Sequence, residues 1–127
     1  MQKRYFALGC LLMMLAVGFG AFGAHGLKAL LSDYYLEIFK TGVQYQFYHA
    51  LGIILLSIAS INKVNYKPAM LLMFLGIVCF SGSLYLLALQ DLLNTNLSFL
   101  GPVTPLGGLL FIVAWGWAGY KSFKLKS

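Results

Sequence analysis

The sequence predicts an all-α integral membrane protein, a bundle of four membrane-spanning helices in a single domain over residues 1–127. The chain is 61% hydrophobic and 9% charged, with a mean hydropathy of +0.84, which lies outside the range of a soluble globular domain. Four stretches without any charged residue are long enough to cross a hydrocarbon core of about 30 Å: residues 5–24, 43–61, 69–90 and 102–120. Runs of this length satisfy their backbone hydrogen bonds as helices, whereas barrel strands would alternate with a period of two.

The charge distribution predicts the orientation. Seven basic residues and no acidic one fall on one side of the four spans: Lys3, Arg4, Lys63, Lys67, Lys121, Lys124 and Lys126. The other side carries two basic and three acidic residues: Lys28, Lys40, Asp33, Glu37 and Asp91. Because short basic loops stay in the cytoplasm, both termini are predicted to be cytoplasmic. The basic residues do not form the clustered surface with stacking aromatics that nucleic-acid binding requires, so the expected partner is membrane lipid and not nucleic acid.

The segment between the first two spans predicts a short amphipathic helix at the outer interface, over residues 27–40. Its apolar residues follow the spacing of one helical face: Leu27, Leu30, Leu31, Tyr34, Tyr35, Ile38 and Phe39. Such a helix could serve only as a connector that covers the bundle. Ser32 and Asp33 could equally cap a helix that starts at that point.

Polar residues inside the spans collect at one depth, in the outer half of the membrane. Helical rise places His25 at the end of the first span and His49 about two turns inside the second. The candidate ligand-binding residues of this layer are His49, Gln46, Tyr45, His25, Ser81, Ser83, Tyr85 and Thr104. Thr104 also stands where it could cap the last helix. On the second helix, Gly42, Tyr45, Gln46, His49 and Gly52 share one face by their spacing, which is expected to point into the bundle.

Small residues indicate where helices approach one another closely. The expected packing positions are Gly20, Gly23, Gly42, Gly107 and Gly108. Ala16, Gly20 and Ala24 repeat every four residues, and Gly107 and Gly108 of the last span are their expected partners. Towards the cytoplasmic end of that span, Trp115, Trp117 and Tyr120 are expected to form an interfacial aromatic belt, which requires no cofactor.

The two histidines allow several interpretations. An ionisable residue within a membrane is a candidate functional group, yet a neutral imidazole can also bridge two helices as a structural hydrogen-bonding group. Haem ligation by both rings is an alternative, although His25 is expected to be shallower than His49. A zinc site would lack a third ligand, and Ser81 or Ser83 would lack an acidic residue for hydrolytic chemistry. The sequence therefore predicts no metal and no cofactor, with haem as the alternative.

Several blocks of the chain carry a resemblance to a known family. They are Gly20-Ala21-Phe22-Gly23-Ala24-His25, Thr41-Gly42 with Tyr45-Gln46 and His49, Phe80-Ser81-Gly82-Ser83-Leu84-Tyr85, and Thr104-Pro105 with Gly107-Gly108 and Trp115. In order and spacing the chain resembles the YgdD and YwdK family of small bacterial inner-membrane proteins. The resemblance implies a four-helix, multi-pass protein of the bacterial plasma membrane, and it implies no reaction.

The expected function is that of a non-enzymatic accessory protein. Its polar groove in the outer half would bind a lipid, a quinone-like molecule or a partner helix, within a homo-oligomer or a larger membrane complex. The alternative is a small oligomeric transporter or channel. No Asp, Glu, Lys or Arg falls inside a span, so proton-coupled transport would depend on His49 alone.

Overall fold

A computed structural model describes residues 2–125 and arranges them in four long helices. These are α1 (Lys3–His25), α2 (Asp33–Ala59), α3 (Lys67–Leu89) and α4 (Val103–Phe123). Short 3-10 turns over Leu27–Ala29, Ser60–Asn62 and Ser98–Leu100 belong to the connections. No strand occurs within residues 2–125, and the predicted all-α class with four helices is confirmed. Lys126, one of the basic residues used to predict the orientation, lies outside the described residues.

Neighbouring helices run antiparallel. At one end of the bundle the backbone N–H of Gln2 donates to the carbonyl of Ser57 at 3.2 Å, and the hydroxyls of Tyr66 and Ser122 are 2.6 Å apart. The starts of α1 and α3 therefore meet the ends of α2 and α4. We call this the basic end, because it carries Lys3, Arg4, Lys63, Lys67, Lys121 and Lys124.

Three stretches are long and apolar enough to cross a membrane, judged by length and composition alone. They are Lys3–Ala29, Lys67–Leu89 and Ser98–Phe123. Helix α2 is not among them, since Gln44, Gln46 and His49 reduce its hydropathy. It nevertheless extends alongside α1 from the basic end to the opposite end, where Leu27 and Leu36 pack into one buried cluster. With 27 residues against the 23 of α1, α2 is long enough to extend along the whole of α1.

The connection between α1 and α2 differs from the predicted helix over residues 27–40. Leu27–Ala29 form one 3-10 turn, and α2 begins at Asp33. The hydroxyl of Ser32 accepts a hydrogen bond from the backbone N–H of Tyr35 at 3.3 Å. Because this N-cap satisfies one of the free N–H groups of the first turn, it favours a new helix at this position. The alternative start at Ser32 and Asp33 is therefore the correct one.

The predicted apolar face of this segment is only partly buried. Leu27, Leu31 and Phe39 are in the core, whereas Leu30 and Tyr34 are 61% and 71% exposed. The break before α2 interrupts the helical register, so residues before and after it do not share one continuous face.

Helix α3 contains a π-helical segment, Ile77–Ser81, between two α-helical stretches. At its end the Ser81 hydroxyl donates to the carbonyl of Gly42 in α2 at 2.7 Å. A π-helical turn holds more residues than an α-helical turn, so it shifts which side chains face a neighbouring helix. Such segments occur often at functional sites, and Phe80 within this one faces both α2 and α4.

The glycines of α1 pack against a different helix from the one predicted. A Cβ at Gly20 would lie 3.4 Å from Val43, and one at Gly23 would lie 3.0 Å from the Phe39 ring, so these glycines of α1 face α2. Ala24 is exposed. The predicted contact of the α1 stripe with Gly107 and Gly108 is therefore wrong, because α1 pairs with the helix that follows it.

Two other predicted glycines allow close contact with α3. A Cβ at Gly107 would overlap the backbone nitrogen of Phe80, and one at Gly42 would lie 2.8 Å from the Tyr85 ring. Gly108 has more space, because its Cβ would be 3.8 Å from the Phe80 ring. Gly107 thus fixes the distance between α3 and α4, and Gly42 fixes the distance between α2 and α3.

Candidate functional site

Gln46 lies at the centre of a buried hydrogen-bond network and is only 2% exposed. Its Nε2 donates to the carbonyl of Leu12 in α1 at 2.8 Å. Its Oε1 accepts from the hydroxyl of Tyr85 in α3 at 2.6 Å. One amide therefore connects three helices, and buried amides must be paired in this way to avoid a desolvation penalty. Gln46 and Tyr85, two of the predicted ligand-binding residues, thus form their hydrogen bonds within the protein.

The predicted hydroxyl candidates are also paired within the bundle. Besides the bond from Ser81 to Gly42, the hydroxyls of Ser83 and Thr104 lie 2.6 Å apart, and Ser83 also donates to the Phe80 carbonyl at 2.9 Å. Thr104 does not cap α4 as predicted, and that helix begins without a side-chain cap. Its hydroxyl instead pairs with Ser83, because the first turn of α4 packs beside α3.

The two histidines are in different places. His25 is the last residue of α1 and is exposed, whereas His49 is 4% exposed and lines a groove formed by α2, α3 and α4 to which His25 does not contribute. The structure therefore does not combine them into one ligand pair. Within residues 2–125, no three His, Cys, Asp or Glu side chains are grouped as metal ligands would be.

His49 has one free ring nitrogen. Its Nδ1 lies 2.8 Å from the carbonyl oxygen of Tyr45 in the same helix. A carbonyl only accepts, so Nδ1 carries the proton, and in the neutral ring Nε2 is then an acceptor. No hydrogen bond to Nε2 is found from residues 2–125. None of the fully buried side-chain nitrogens and oxygens in that range lacks a partner, so Nε2 is accessible from the groove.

The His49 ring is held in place by an aromatic neighbour. It stacks on Phe111 of α4, with ring centroids 3.5 Å apart and planes inclined by 9°. The interpretation of His49 as a hydrogen-bonded bridge between helices does not fit the structure, because the hydrogen bond found for the ring within residues 2–125 stays within α2. Its contact with α4 is made by stacking alone.

The groove beside His49 has a volume of about 600 Å³. Its lining carries no charged residue and is mostly aromatic: Tyr45, Tyr48, His49, Phe80, Gly108, Phe111, Ile112 and Trp115. Tyr48, Ile112 and Trp115 on its rim are 52%, 70% and 45% exposed. The groove therefore opens on the outside of the bundle, along the surface that would face lipid.

The groove is deeper than the sequence suggested. His49 lies near the middle of α2, and Phe80 and Phe111 lie near the middle of α3 and α4. The groove was expected in the half away from the basic end and was expected to be polar. It is at mid-height because α2 begins at Asp33, about ten residues before the predicted span. It lacks the predicted amide because Gln46 bonds to Leu12 of α1 and Tyr85 of α3 and does not line the groove.

Sequence reasoning missed most of the groove. Four of its aromatic residues were not among the candidates: Tyr48, Phe80, Phe111 and Trp115. Helical spacing could have indicated some of them, since Tyr48 follows Tyr45 at i+3, and Phe111 and Trp115 follow Gly108 at i+3 and i+7. Trp115 was instead assigned to the aromatic belt.

The other two residues of the predicted belt, Trp117 and Tyr120, lie at the basic end of α4. Lys121 and Lys124 lie over the rings of Trp117 and Tyr120, at 4.9 and 5.4 Å from the ring centroids.

Antiparallel helices, three of them long and apolar enough to cross a membrane, and an interior closed by interhelical hydrogen bonds define a small helical membrane protein. Comparison with known proteins identifies the particular family. The model of a family described as "Protein of unknown function (DUF423)" matches residues 19–108, and the chain belongs to this family.

Relatives of the same kind match along nearly the whole chain. A UPF0382 membrane protein of Staphylococcus haemolyticus, SH2409, is 47% identical over 124 residues, which cover 97% of this chain and 98% of the relative. The UPF0382 membrane protein YwdK of Bacillus subtilis is 48% identical over 119 residues, with 90% and 91% covered. No solved structure matches. These relatives confirm the resemblance noted from the sequence.

Proposed function

We propose that this protein is a non-enzymatic accessory protein of the bacterial plasma membrane that holds a hydrophobic molecule in the groove beside His49. One observation carries the proposal: an aromatic, lipid-facing groove contains a single accessible ring nitrogen on a side chain that is otherwise buried. Since the other buried polar side chains are hydrogen-bonded within the protein, Nε2 of His49 stands out among residues 2–125 as a polar atom without a partner in the bundle.

The shape and chemistry of the groove support a small hydrophobic ligand. Its volume of about 600 Å³ is within the range of about 300–1,000 Å³ that small-molecule sites usually have. Such sites are mostly apolar and contain a few polar groups that fix the orientation of the ligand. A ligand could enter sideways from the membrane, because Tyr48 and Ile112 form an exposed rim.

The proposal includes an orientation with the basic end in the cytoplasm. The basic end, where α1 and α3 start and α2 and α4 end, carries six of the described basic residues and no acidic one: Lys3, Arg4, Lys63, Lys67, Lys121 and Lys124. Basic residues near the ends of spans favour the cytoplasmic side. We therefore propose that both termini are cytoplasmic.

A pair of variants on α4 tests the groove. In Gly108→Leu the new side chain would fill the groove beside Phe80. In the control Gly116→Leu it would project into open space, because nothing lies within 4 Å of a Cβ at that position. Each protein is purified in mild detergent and examined by native mass spectrometry. We expect the unmodified protein and Gly116→Leu to retain a defined hydrophobic molecule, and Gly108→Leu to lose it.

The experiment also has a clear negative result. If the unmodified protein retains nothing under conditions that preserve its fold, or if Gly108→Leu retains as much as Gly116→Leu, the groove is not a binding site. Thermal unfolding of all three proteins establishes that each is folded, and helix α4 is expected to tolerate both changes because each adds volume outside the core.

A further inference from the structure

We infer that the molecule held in the groove has an aromatic head that bears a hydroxyl group, a phenol or hydroquinone, which donates a hydrogen bond to Nε2 of His49. This inference rests on the proposed binding function and goes further by defining the ligand chemistry. Three properties of the groove lead to it: the direction of the available hydrogen bond, the nature of the walls and the absence of charge.

The hydrogen bond has a fixed direction. The carbonyl oxygen of Tyr45 at 2.8 Å keeps the proton of the neutral imidazole on Nδ1, which leaves Nε2 as a lone-pair acceptor. A ligand group that faces Nε2 must therefore donate. A quinone or ester carbonyl would place one acceptor against another, whereas a hydroxyl satisfies the nitrogen.

The walls favour a flat ring. The planes of Tyr45, His49 and Phe111 are nearly parallel, with pairwise inclinations of 10°, 9° and 14°. Phe80 and Trp115 complete an aromatic surface around them. Aromatic rings interact with such a surface by offset stacking and by edge-to-face contacts, in addition to the burial of apolar area. A hydroxyl attached directly to an aromatic ring supplies both the hydrogen-bond donor for Nε2 and the flat ring for the walls.

The ligand head is neutral. None of the groove-lining residues is charged, and the groove lies at mid-height in helices of membrane-spanning length. A charged head at such a depth would be unfavourable without a counter-charge. Phospholipid heads are excluded on this ground, while a neutral phenol or hydroquinone on a hydrophobic tail fits.

A matched pair of probes tests the inference with the full-length protein. para-Octylphenol and its methyl ether have similar size and hydrophobicity, but only the phenol can donate. Binding is followed by the fluorescence of Trp115 in a Trp117→Phe background, which leaves Trp115 as the one tryptophan of the chain. We expect the phenol to bind about tenfold more tightly than the ether, equivalent to about 1.4 kcal/mol.

A variant identifies the acceptor. His49→Phe keeps a ring that can stack on Phe111 but removes Nε2, so the phenol should lose its advantage over the ether while both still bind. Because the comparison in the unmodified protein already decides the question, the result does not depend on the folding of this variant.

The outcomes separate this inference from the proposed function. If both probes bind equally to the unmodified protein and Gly108→Leu abolishes their binding, the groove is a hydrophobic site but the donor requirement is wrong. If neither probe binds, or if Gly108→Leu binds them as well as Gly116→Leu does, both the inference and the proposed function are overturned. Tighter binding of the ether would also refute the inference.

Discussion

Gly107→Ala should destabilise the protein, because Gly107 sets the distance between α3 and α4. A Cβ at this position would overlap the backbone nitrogen of Phe80 and would lie 2.7 and 2.8 Å from its Cβ and Cα. A backbone cannot rotate away as a side chain can, so the cost should be near the upper end of the usual range of about 1–3 kcal/mol for overpacking. Alanine recovers about 0.5–1 kcal/mol through its better helix propensity. The net loss in the free energy of unfolding should be about 2 kcal/mol.

Gly116→Ala on the same helix is the matched control. It adds the same methyl group where nothing lies within 4 Å, so it should leave stability unchanged or raise it by up to about 1 kcal/mol. The free energy of unfolding is measured by titration with sodium dodecyl sulfate, followed by tryptophan fluorescence. Equal unfolding midpoints for the two variants would refute the close contact of α3 and α4 at Phe80.

Three further predictions concern the core, a helix start and the orientation. Gln46→Leu should lower the free energy of unfolding by about 1–3 kcal/mol, since it leaves the Tyr85 hydroxyl unpaired. The variant should still retain any molecule bound in the groove. Loss of that molecule from a folded variant would contradict the separation of the Gln46 network from the groove. Ser32→Ala should cost about 1 kcal/mol through the lost N-cap, and an unchanged midpoint would argue against the cap. Without the native cysteines, Asn96→Cys should react with an impermeant thiol reagent in intact cells and Ser127→Cys should not; the reverse pattern would invert the orientation.

The helices could be predicted from the sequence because the signals are local. A stretch of about 20 residues without charge is long enough to cross a membrane as a helix, and this can be recognised without knowing what the helix packs against. The start of α2 was less clear, since the apolar spacing of residues 27–40 suits one amphipathic helix as well as a turn followed by a capped helix. The structure distinguishes the two, because the Ser32 hydroxyl caps a new helix that begins at Asp33. Whether that cap forms depends on the direction in which the chain leaves α1, which the apolar spacing does not reveal.

The pairing of helices was not predictable in the same way. Small residues indicate that a close neighbour exists, but they do not identify it. Gly20 and Gly23 face α2 and not α4, and Gly107 faces a π-helical segment of α3. Such a segment changes which side chains share a face, and Phe80 of the groove lies within it. Because the neighbours of each helix were not predicted, the groove residues that α3 and α4 contribute were not among the candidates.

Some buried polar residues hold the bundle together, whereas others bond only to carbonyls of their own helix, as Ser57 and Ser60 do. Gln46 and Ser81 each bond to another helix, so their burial is offset by interhelical contacts. Among residues 2–125, His49 likewise bonds only to Tyr45 in its own helix, but its ring has a second nitrogen. An apolar ring could stack on Phe111 equally well, without the cost of burying a polar group. A purely structural role thus leaves the imidazole of His49 unexplained, whereas a hydroxyl-bearing ligand would use the nitrogen that the fold leaves free.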